Sequence, residues 1–357
     1  MTRAPKIALC LPGGGATGAM FQIGALAALE DGLPFAEFDL YVGTNSGASV
    51  AAVLAAGRSP ERIYRAFLDP ADVYFPLERK HVLRTDLNEW RRTVVSAWGA
   101  LRHGTTSLFS RGPAQSPAQL WEELDRFYDS LPAGFFSLDG YERFLEDFFV
   151  RRGIPNTFHA MPKPLRIVAH DLDSGEEVLF GTPGFDHVPV TRACIASMAV
   201  PPIFSPVRIG DRHYIDAAGA QVSHLDVAVA EGANVIVVVN PMVPIRAESV
   251  PTGHGRKNSV RDKGLMWVMN QALRIAIHKL MTESLARIRA GGEIEVVVIE
   301  PDPTDAILFL FNPASFAARR QILEHAYRTA KARISAWIET GTAPSRLFSR
   351  PGEKKSG

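Results

Sequence analysis

Gly43-Thr44-Asn45-Ser46-Gly47 is a stretch whose residue types and spacing could carry a covalent reaction. A short apolar run, Leu40-Tyr41-Val42, leads into it, and a small-residue helical run, Ala48 to Ala55, leaves it. This is the layout of a nucleophile elbow, in which a strained strand-to-helix turn lifts one side chain above a sheet. Strand and helix nearly touch at such a turn, so the residues two before and two after the apex must be small. With the apex at 45 those flanks are Gly43 and Gly47; with the apex at 46 they are Thr44, which is β-branched, and Ala48. The spacing favours Asn45, and Asn is one of the few non-glycine residues that visit positive φ. A neutral amide is no nucleophile at neutral pH. Asn45 therefore holds the nucleophile position, and Ser46 is the alternative nucleophile if the turn shifts by one residue. Taken alone, the stretch also reads as an ordinary Gly-Asn-Ser turn after a strand.

Two remote segments could complete a site. Pro12-Gly13-Gly14-Gly15-Ala16-Thr17-Gly18 separates the apolar run Ile7–Leu11 from a helical pattern over Ala19 to Glu30. A glycine turn opening a helix exposes backbone N–H groups that favour negative charge, such as an oxyanion. Far along the chain, His213-Tyr214-Ile215 reads as a strand that delivers Asp216 beside Ala217-Ala218-Gly219. A carboxylate in hydrogen-bond reach of the elbow could take a nucleophile's proton without a histidine. A lone Asp there could equally cap a helix or accept in a turn.

Other chemistries fit less well. Gly13-x-Gly15-x-x-Gly18 matches the dinucleotide fingerprint, which wants an acid just after the next strand. Asp39 instead precedes that strand, so nucleotide binding stands as a remote alternative. His170, Asp171 and Asp173 belong to an Asp-rich turn before Ser174-Gly175, which reads as turn chemistry and not a metal site. A triad of Ser46, Asp216 and His224 has the chain order of α/β-hydrolases, but here acid and base would follow one strand. His224 reads as a surface or capping residue. His213 lies three positions before Asp216 on the same strand and points to the opposite face.

The elements that must position these residues are legible as pattern. Continuous apolar runs at Ile7–Leu11 and Val235–Val239 read as buried strands, and Leu165–His170 and Ile294–Ile299 as further strands, of a parallel sheet whose ends would converge on one crevice. Helical spacing recurs at Ala19–Glu30, Val190–Ala199, Leu225–Glu231, Leu265–Arg289 and Pro313–Glu339. Between Arg58 and Pro162 strand-like runs disappear and aromatics become dense, which reads as a helical insertion, 58–162, in an α/β core made of 1–57 and 163–340. The insertion could form a lid. The tail, 341–357, reads as flexible. Within the insertion, Trp90, Val94, Ala97, Trp98 and Leu101 share one helical face near Arg84, Arg91, Arg92, Arg102 and His103. Such a face either packs on neighbouring helices or gives peripheral membrane contact through 84–103.

Composition sets outer bounds. The 357 residues are 46% hydrophobic, enough for a large core, and the net charge of +1 argues against a nucleic-acid partner. Two cysteines, Cys10 and Cys194, cannot make a disulfide framework and point to a reducing compartment. The first apolar run is too short for a signal peptide or membrane span, so a cytoplasmic location is expected, peripheral at the membrane if that contact is made.

The ordered set of motifs resembles the patatin-like phospholipase family. Pro12-Gly13-Gly14-Gly15 with Gly18-Ala19 resembles its oxyanion loop, and Gly43-Thr44-x-Ser46-Gly47-Ala48 its elbow. Ala196-Ser197-Met198-Ala199-Val200-Pro201 with Phe204-Ser205-Pro206-Val207 resembles the stretch before its catalytic acid, and Tyr214-Ile215-Asp216 the strand bearing that acid. The resemblance implies a three-layer α/β/α fold, here carrying the helical insertion read above, and a Ser-Asp dyad that hydrolyses lipid acyl esters through an acyl-enzyme; no cofactor is expected. The roles it implies are an oxyanion hole at Gly13, Gly14 and Gly15, elbow glycines at 43 and 47, and Asp216 as base. The sequence departs from the family in three places: its serine falls on Asn45, its Asp-Gly-Gly or Asp-Gly-Ala is Asp216-Ala217-Ala218, and a basic residue common in its glycine loop is Thr17. The expectation is a lipid acyl hydrolase with Asn45 at the reacting position, or a lipid- or acyl-binding homologue of the same fold without turnover.

Overall fold

The computed structural model describes residues 6–33, 37–69, 72–87, 90–91, 93–95, 125, 129, 131–217, 224–246, 259–305, 307 and 318–340. Its elements in chain order are β1 (Ile7–Leu11), α1 (Gly15–Gly32), β2 (Leu40–Thr44), α2 (Ser46–Ala55), α3 (Pro60–Leu68), α4 (Arg79–Val82), β3 (Arg84–Thr85), β4 (Phe136–Ser137), α5 (Asp139–Arg152), β5 (Leu165–Asp171), β6 (Glu177–Phe180), α6 (Val190–Met198), β7 (Val207–Ile209), β8 (Arg212–Asp216), α7 (Leu225–Ala230), β9 (Val235–Val239), α8 (Leu265–Gly291), β10 (Glu295–Ile299) and α9 (Arg319–Glu339).

The apolar runs build the middle of a mixed sheet. Its order is β10-β9-β1-β2-β5-β8-β7, with β6 also paired to β5. The pairs β10·β9, β9·β1, β1·β2 and β2·β5 are parallel. Every residue of β9, Val235 to Val239, is fully buried, as expected of a strand covered on both faces. Alternation sends Leu9, Leu11, Val235, Val237 and Val239 into one core with α1, α2, α5, α6 and α9. Ala8, Cys10, Ile236 and Val238 point the other way, against α7 and the C-terminal part of α8. The result is the three-layer α/β/α arrangement.

The sheet is not parallel throughout, and this changes how Asp216 arrives. β5 pairs antiparallel with both β6 and β8. Val168 pairs with Thr44 and Leu179, and the next residue, Ala169, pairs with Val178 and Asp216. With β6 along one side of β5, β2 and β8 must share the other. They run toward each other, and their C-terminal ends, Thr44 and Asp216, meet at adjacent positions of β5. The parallel convergence expected from the sequence is thus replaced by a head-on meeting of two strands.

Two other differences are local. α1 begins at Gly15, not Ala19, because Gly14 takes a φ of 147° as its N-cap and Gly18 N–H already donates to Gly14 O at 3.0 Å. α9 is described from Arg319; the expected start at Pro313 lies outside the described residues. So do Ala218, Gly219, Trp98, Arg102, His103 and the tail 341–357.

Within 58–162, the described aromatics pack on the main core. Phe75 meets Phe144 and Phe148 edge-on at centroid distances of 5.1 and 4.7 Å, and Tyr74 meets Phe148 at 5.9 Å. Tyr141, Phe144, Leu145, Phe148 and Phe149 of α5 are buried in the same cluster as α1, α2 and α6. Trp90 and Phe135 instead lie together near the surface, 37% and 41% exposed, with Trp90 Nε1 donating to Phe135 O at 3.3 Å.

Candidate functional site at the elbow

Asn45 is the apex of the turn. It takes φ 55° and ψ −130° immediately before α2. Among the described residues only Asn45 and His224 are non-glycine residues at positive φ. The flanks explain the glycines. A Cβ on Gly43 would stand 2.6 Å from Ala48 Cα, and one on Gly47 would stand 2.0 Å from Leu11 O. No side chain fits either place, so the strand, turn and helix close in this register.

The apex amide bridges two remote segments. Its Nδ2 donates to Asp216 Oδ2 at 3.2 Å. Its Oδ1 accepts from the Gly15 N–H at 3.3 Å and the Gly14 N–H at 3.5 Å. Gly13 passes close beside it, since a Cβ there would lie 2.5 Å from Asn45 Cβ. Asn45 is 6% exposed and Asp216 8%, so these contacts form in a largely desolvated place, where each counts for more than in water. Asp216 is held at its backbone too, with its N–H donating to Ala199 O at 3.0 Å.

Ser46, one residue on, behaves differently. Its hydroxyl is buried and has no hydrogen-bond partner. It borders the same cavity as Asn45 and Asp216. No hydrogen bond joins it to Asp216.

Three further contacts support the site; Gln22 and Arg274 had no motif signal in the sequence, and Ser197 lies in the motif Ala196–Pro201 with no role of its own assigned there. Ser197 on α6 accepts from the Asn45 N–H at 2.9 Å and donates to Val168 O at 2.5 Å, tying the apex to β5. Gln22 on α1 donates to Pro12 O and, at 3.4 Å, to Val239 O, holding the entry to the glycine loop. Behind that loop, the Pro241 ring presses on Gly14 and Gly18, where an added Cβ would lie 3.0 and 3.1 Å from Pro241 Cγ. Pro241 is fixed in turn by Arg274 of α8, which donates to the carbonyls of Pro241 at 2.9 Å and Val243 at 3.0 Å and to Asn270 Oδ1 at 2.8 Å. Burial pushes the Arg274 guanidinium down to about 10.

A cavity of about 430 Å³ opens over the apex, inside the range of about 300–1,000 Å³ usual for small-molecule sites. Gly13, Gly14, Gly15, Asn45, Ser46 and Asp216 form its polar end. Met20, Ile23, Phe67, Phe75, Leu145, Phe148, Met242, Met266 and Leu273 line much of the rest. Arg319 also lines it; its Nη1 donates to Leu77 O at 2.9 Å, and burial lowers its pKa. The Tyr141 hydroxyl, likewise on the wall, is raised chiefly by burial.

The remaining titratable candidates lie elsewhere. His224 is not on the surface as its sequence context implied: it is 1% exposed and heads α7 without capping it through its side chain. Its Nδ1 lies 3.5 Å from Glu177 Oε2 on β6, and that contact is the main cause lowering the Glu177 pKa. The backbone at 224 is left-handed, with φ 41°. His213 lies 3.8 Å from Asp173. Asp171 accepts from Arg212 at 2.5 Å, the main cause of its lowered pKa, and caps the turn through the N–H groups of Asp173 and Ser174. Asp39 accepts from Ile7 N–H at 2.8 Å, at the opposite end of β1 from the glycine turn. Among the described residues no group of three or more His, Cys, Asp or Glu could hold a metal ion. No described helix is long and apolar enough to cross a membrane.

The family model described as patatin-like phospholipase matches residues 9–229, which include the glycine turn, the elbow and Asp216. The chain belongs to the patatin-like phospholipase family. No curated protein matches it. Among solved structures, this patatin-like chain is similar to VipD from Legionella pneumophila at 14% identity and a TM-score of 0.38, covering 94% of this chain and 67% of that one. It is similar to ExoU of the Pseudomonas aeruginosa type III secretion system at 16% identity and a TM-score of 0.39, covering 97% and 54%. It is similar to the human GIVD cytosolic phospholipase A2 at 12% identity and a TM-score of 0.37, covering 96% and 60%. The patatin-like chain thus spans little more than half the length of ExoU and about two thirds of VipD.

Proposed function

We propose that this patatin-like protein binds an acyl lipid in the cavity above its elbow and does not turn it over. The reading rests on the Asn45 amide. In a Ser-Asp acyl hydrolase the base must reach the nucleophile's hydroxyl, and the oxyanion donors must be open to a substrate carbonyl. Here Nδ2 takes the Asp216 carboxylate and Oδ1 takes the glycine-loop N–H groups. One neutral side chain satisfies both halves of the machinery, and it supplies no attacking atom. The apolar cavity wall suits an acyl chain, and the polar end suits its ester or carboxyl group.

The inserted segment contributes to that wall through Phe67, Phe75, Tyr141, Leu145 and Phe148, which supports a covering role for 58–162. The exposed apolar residues Leu87, Trp90, Val94 and Val95 support a peripheral approach of this segment to a lipid surface.

The test is esterase activity toward a p-nitrophenyl acyl ester. The native chain shows none above background, and Asn45→Ser gains it. A second reading, hydrolysis through Ser46, is favoured by its buried and unpartnered hydroxyl at the cavity. Native activity that disappears in Ser46→Ala selects that reading and ends the first.

A further inference from the structure

The backbone that lifts Asn45 also aligns its side chain with the next peptide nitrogen. In an L residue, Cβ sits one tetrahedral step round the Cα–C bond from the residue's own nitrogen. At a ψ of −130° this brings Cβ nearly into eclipse with the nitrogen of Ser46. A five-membered ring through Cγ, Cβ and Cα of Asn45, its carbonyl carbon and the Ser46 nitrogen needs that eclipse. Side-chain-bearing residues seldom adopt this backbone, and the elbow enforces it. Ser46 is the first residue of α2, so its N–H has no acceptor within the helix.

The side-chain contacts favour the same ring closure. Oδ1, where negative charge would develop on attack at Cγ, faces the N–H groups of Gly14 and Gly15. Nδ2, which would leave, is hydrogen-bonded to the Asp216 carboxylate. An oxyanion hole and a proton acceptor-donor thus surround the protein's own amide.

We propose that Asn45-Ser46 is a self-modification site. The Ser46 nitrogen attacks Asn45 Cγ, and the N–Cγ bond forms as the Cγ–Nδ2 bond breaks. The proton from the Ser46 nitrogen passes through Asp216 to Nδ2, which leaves as ammonia. Water then adds at Cγ, the new N–Cγ bond breaks, and the Ser46 nitrogen regains a proton. Nothing is oxidised or reduced. The oxyanion donors face the Cγ oxygen and not the backbone carbonyl, so opening at Cγ is favoured and leaves an ordinary aspartate at position 45. That residue would face Asp216 as a second carboxylate, and two such groups in contact share a proton. The proposal does not require that the cavity bind a lipid.

The experiment follows amide loss at position 45 by peptide-mapping mass spectrometry of the full chain, incubated at mildly alkaline pH, folded and in urea. Folded protein should convert Asn45 on the order of tenfold faster than the unfolded chain, a fraction of the roughly 10²–10³ that one oxyanion donor contributes in a hydrolase. The product should be aspartate and not its backbone isomer. Asp216→Asn, with its fold checked by circular dichroism, should slow the reaction. Conversion that is slower in the folded chain than in urea overturns the proposal, and so does folded Asn45 converting no faster than Asn156. An unchanged rate in Asp216→Asn overturns the assigned proton route.

Discussion

Asn45 and Asp216, 171 positions apart in the chain, meet at 3.2 Å through the amide nitrogen of one and a carboxylate oxygen of the other. They meet because β2 and β8 run head-on along one side of β5 and end opposite Val168 and Ala169. The Asp216 carboxylate is therefore placed by strand register and not by a flexible loop. A serine hydroxyl at the apex would inherit that placement.

Under the proposed reading, Asn45→Ser should gain ester hydrolysis on the order of 10³-fold over the native chain, the scale of a nucleophile placed beside a carboxylate and backbone N–H groups already in position. Adding Asp216→Ala should remove the gain. Initial rates with a p-nitrophenyl ester check both.

Gly47→Ala should destabilise the fold by about 3 kcal/mol, the upper part of the usual overpacking range. Its Cβ would enter at 2.0 Å from Leu11 O, and both are backbone-fixed, so neither can step aside without moving β1. Urea denaturation followed by far-ultraviolet circular dichroism measures the loss.

Ser197→Ala should cost about 1–3 kcal/mol, because it leaves the buried Asn45 N–H without its acceptor. The same variant in the Asn45→Ser background should lower kcat more than it changes KM, since it loosens the apex and leaves the cavity wall intact. Denaturation and steady-state kinetics read the two effects.

Stability should fall above pH 9. Burial pushes the Cys194 thiol up from an ordinary 9.0 to about 12 and, with help from nearby carboxylates, the Tyr41 hydroxyl from 10.0 to about 12. Both groups are neutral when protonated, and the unfolded chain releases these protons at lower pH than the folded one. Their contribution is complete below the unfolded values and is lost as pH rises toward 12. The slope is about 1.4 kcal/mol per pH unit for each group while only its unfolded form has ionised. Urea midpoints at pH 8 and pH 10 test the sign.

Much of this site could be read in advance, for identifiable reasons. Gly43 and Gly47 marked the apex because close approach of strand and helix excludes every other residue type, and that constraint is local. The runs Ile7–Leu11 and Val235–Val239 announced central strands because burial on both faces leaves no alternation. The direction of β8 could not be read: Tyr214-Ile215-Asp216 looks the same whether it pairs parallel or antiparallel, and pairing is decided by β5. Neither the burial of His224 nor its left-handed backbone could be read, because a lone histidine carries no pattern that fixes either. The supporting roles of Ser197, Gln22 and Arg274 were not legible because each acts mainly through hydrogen bonds to backbone groups brought near by the fold. Such contacts leave no spacing behind.

The most direct test is covalent capture with an alkyl fluorophosphonate, located by mass spectrometry. The native chain should give no adduct, and Asn45→Ser should give an adduct at position 45 that Asp216→Ala prevents. An adduct on Ser46 of the native chain would contradict the proposed reading.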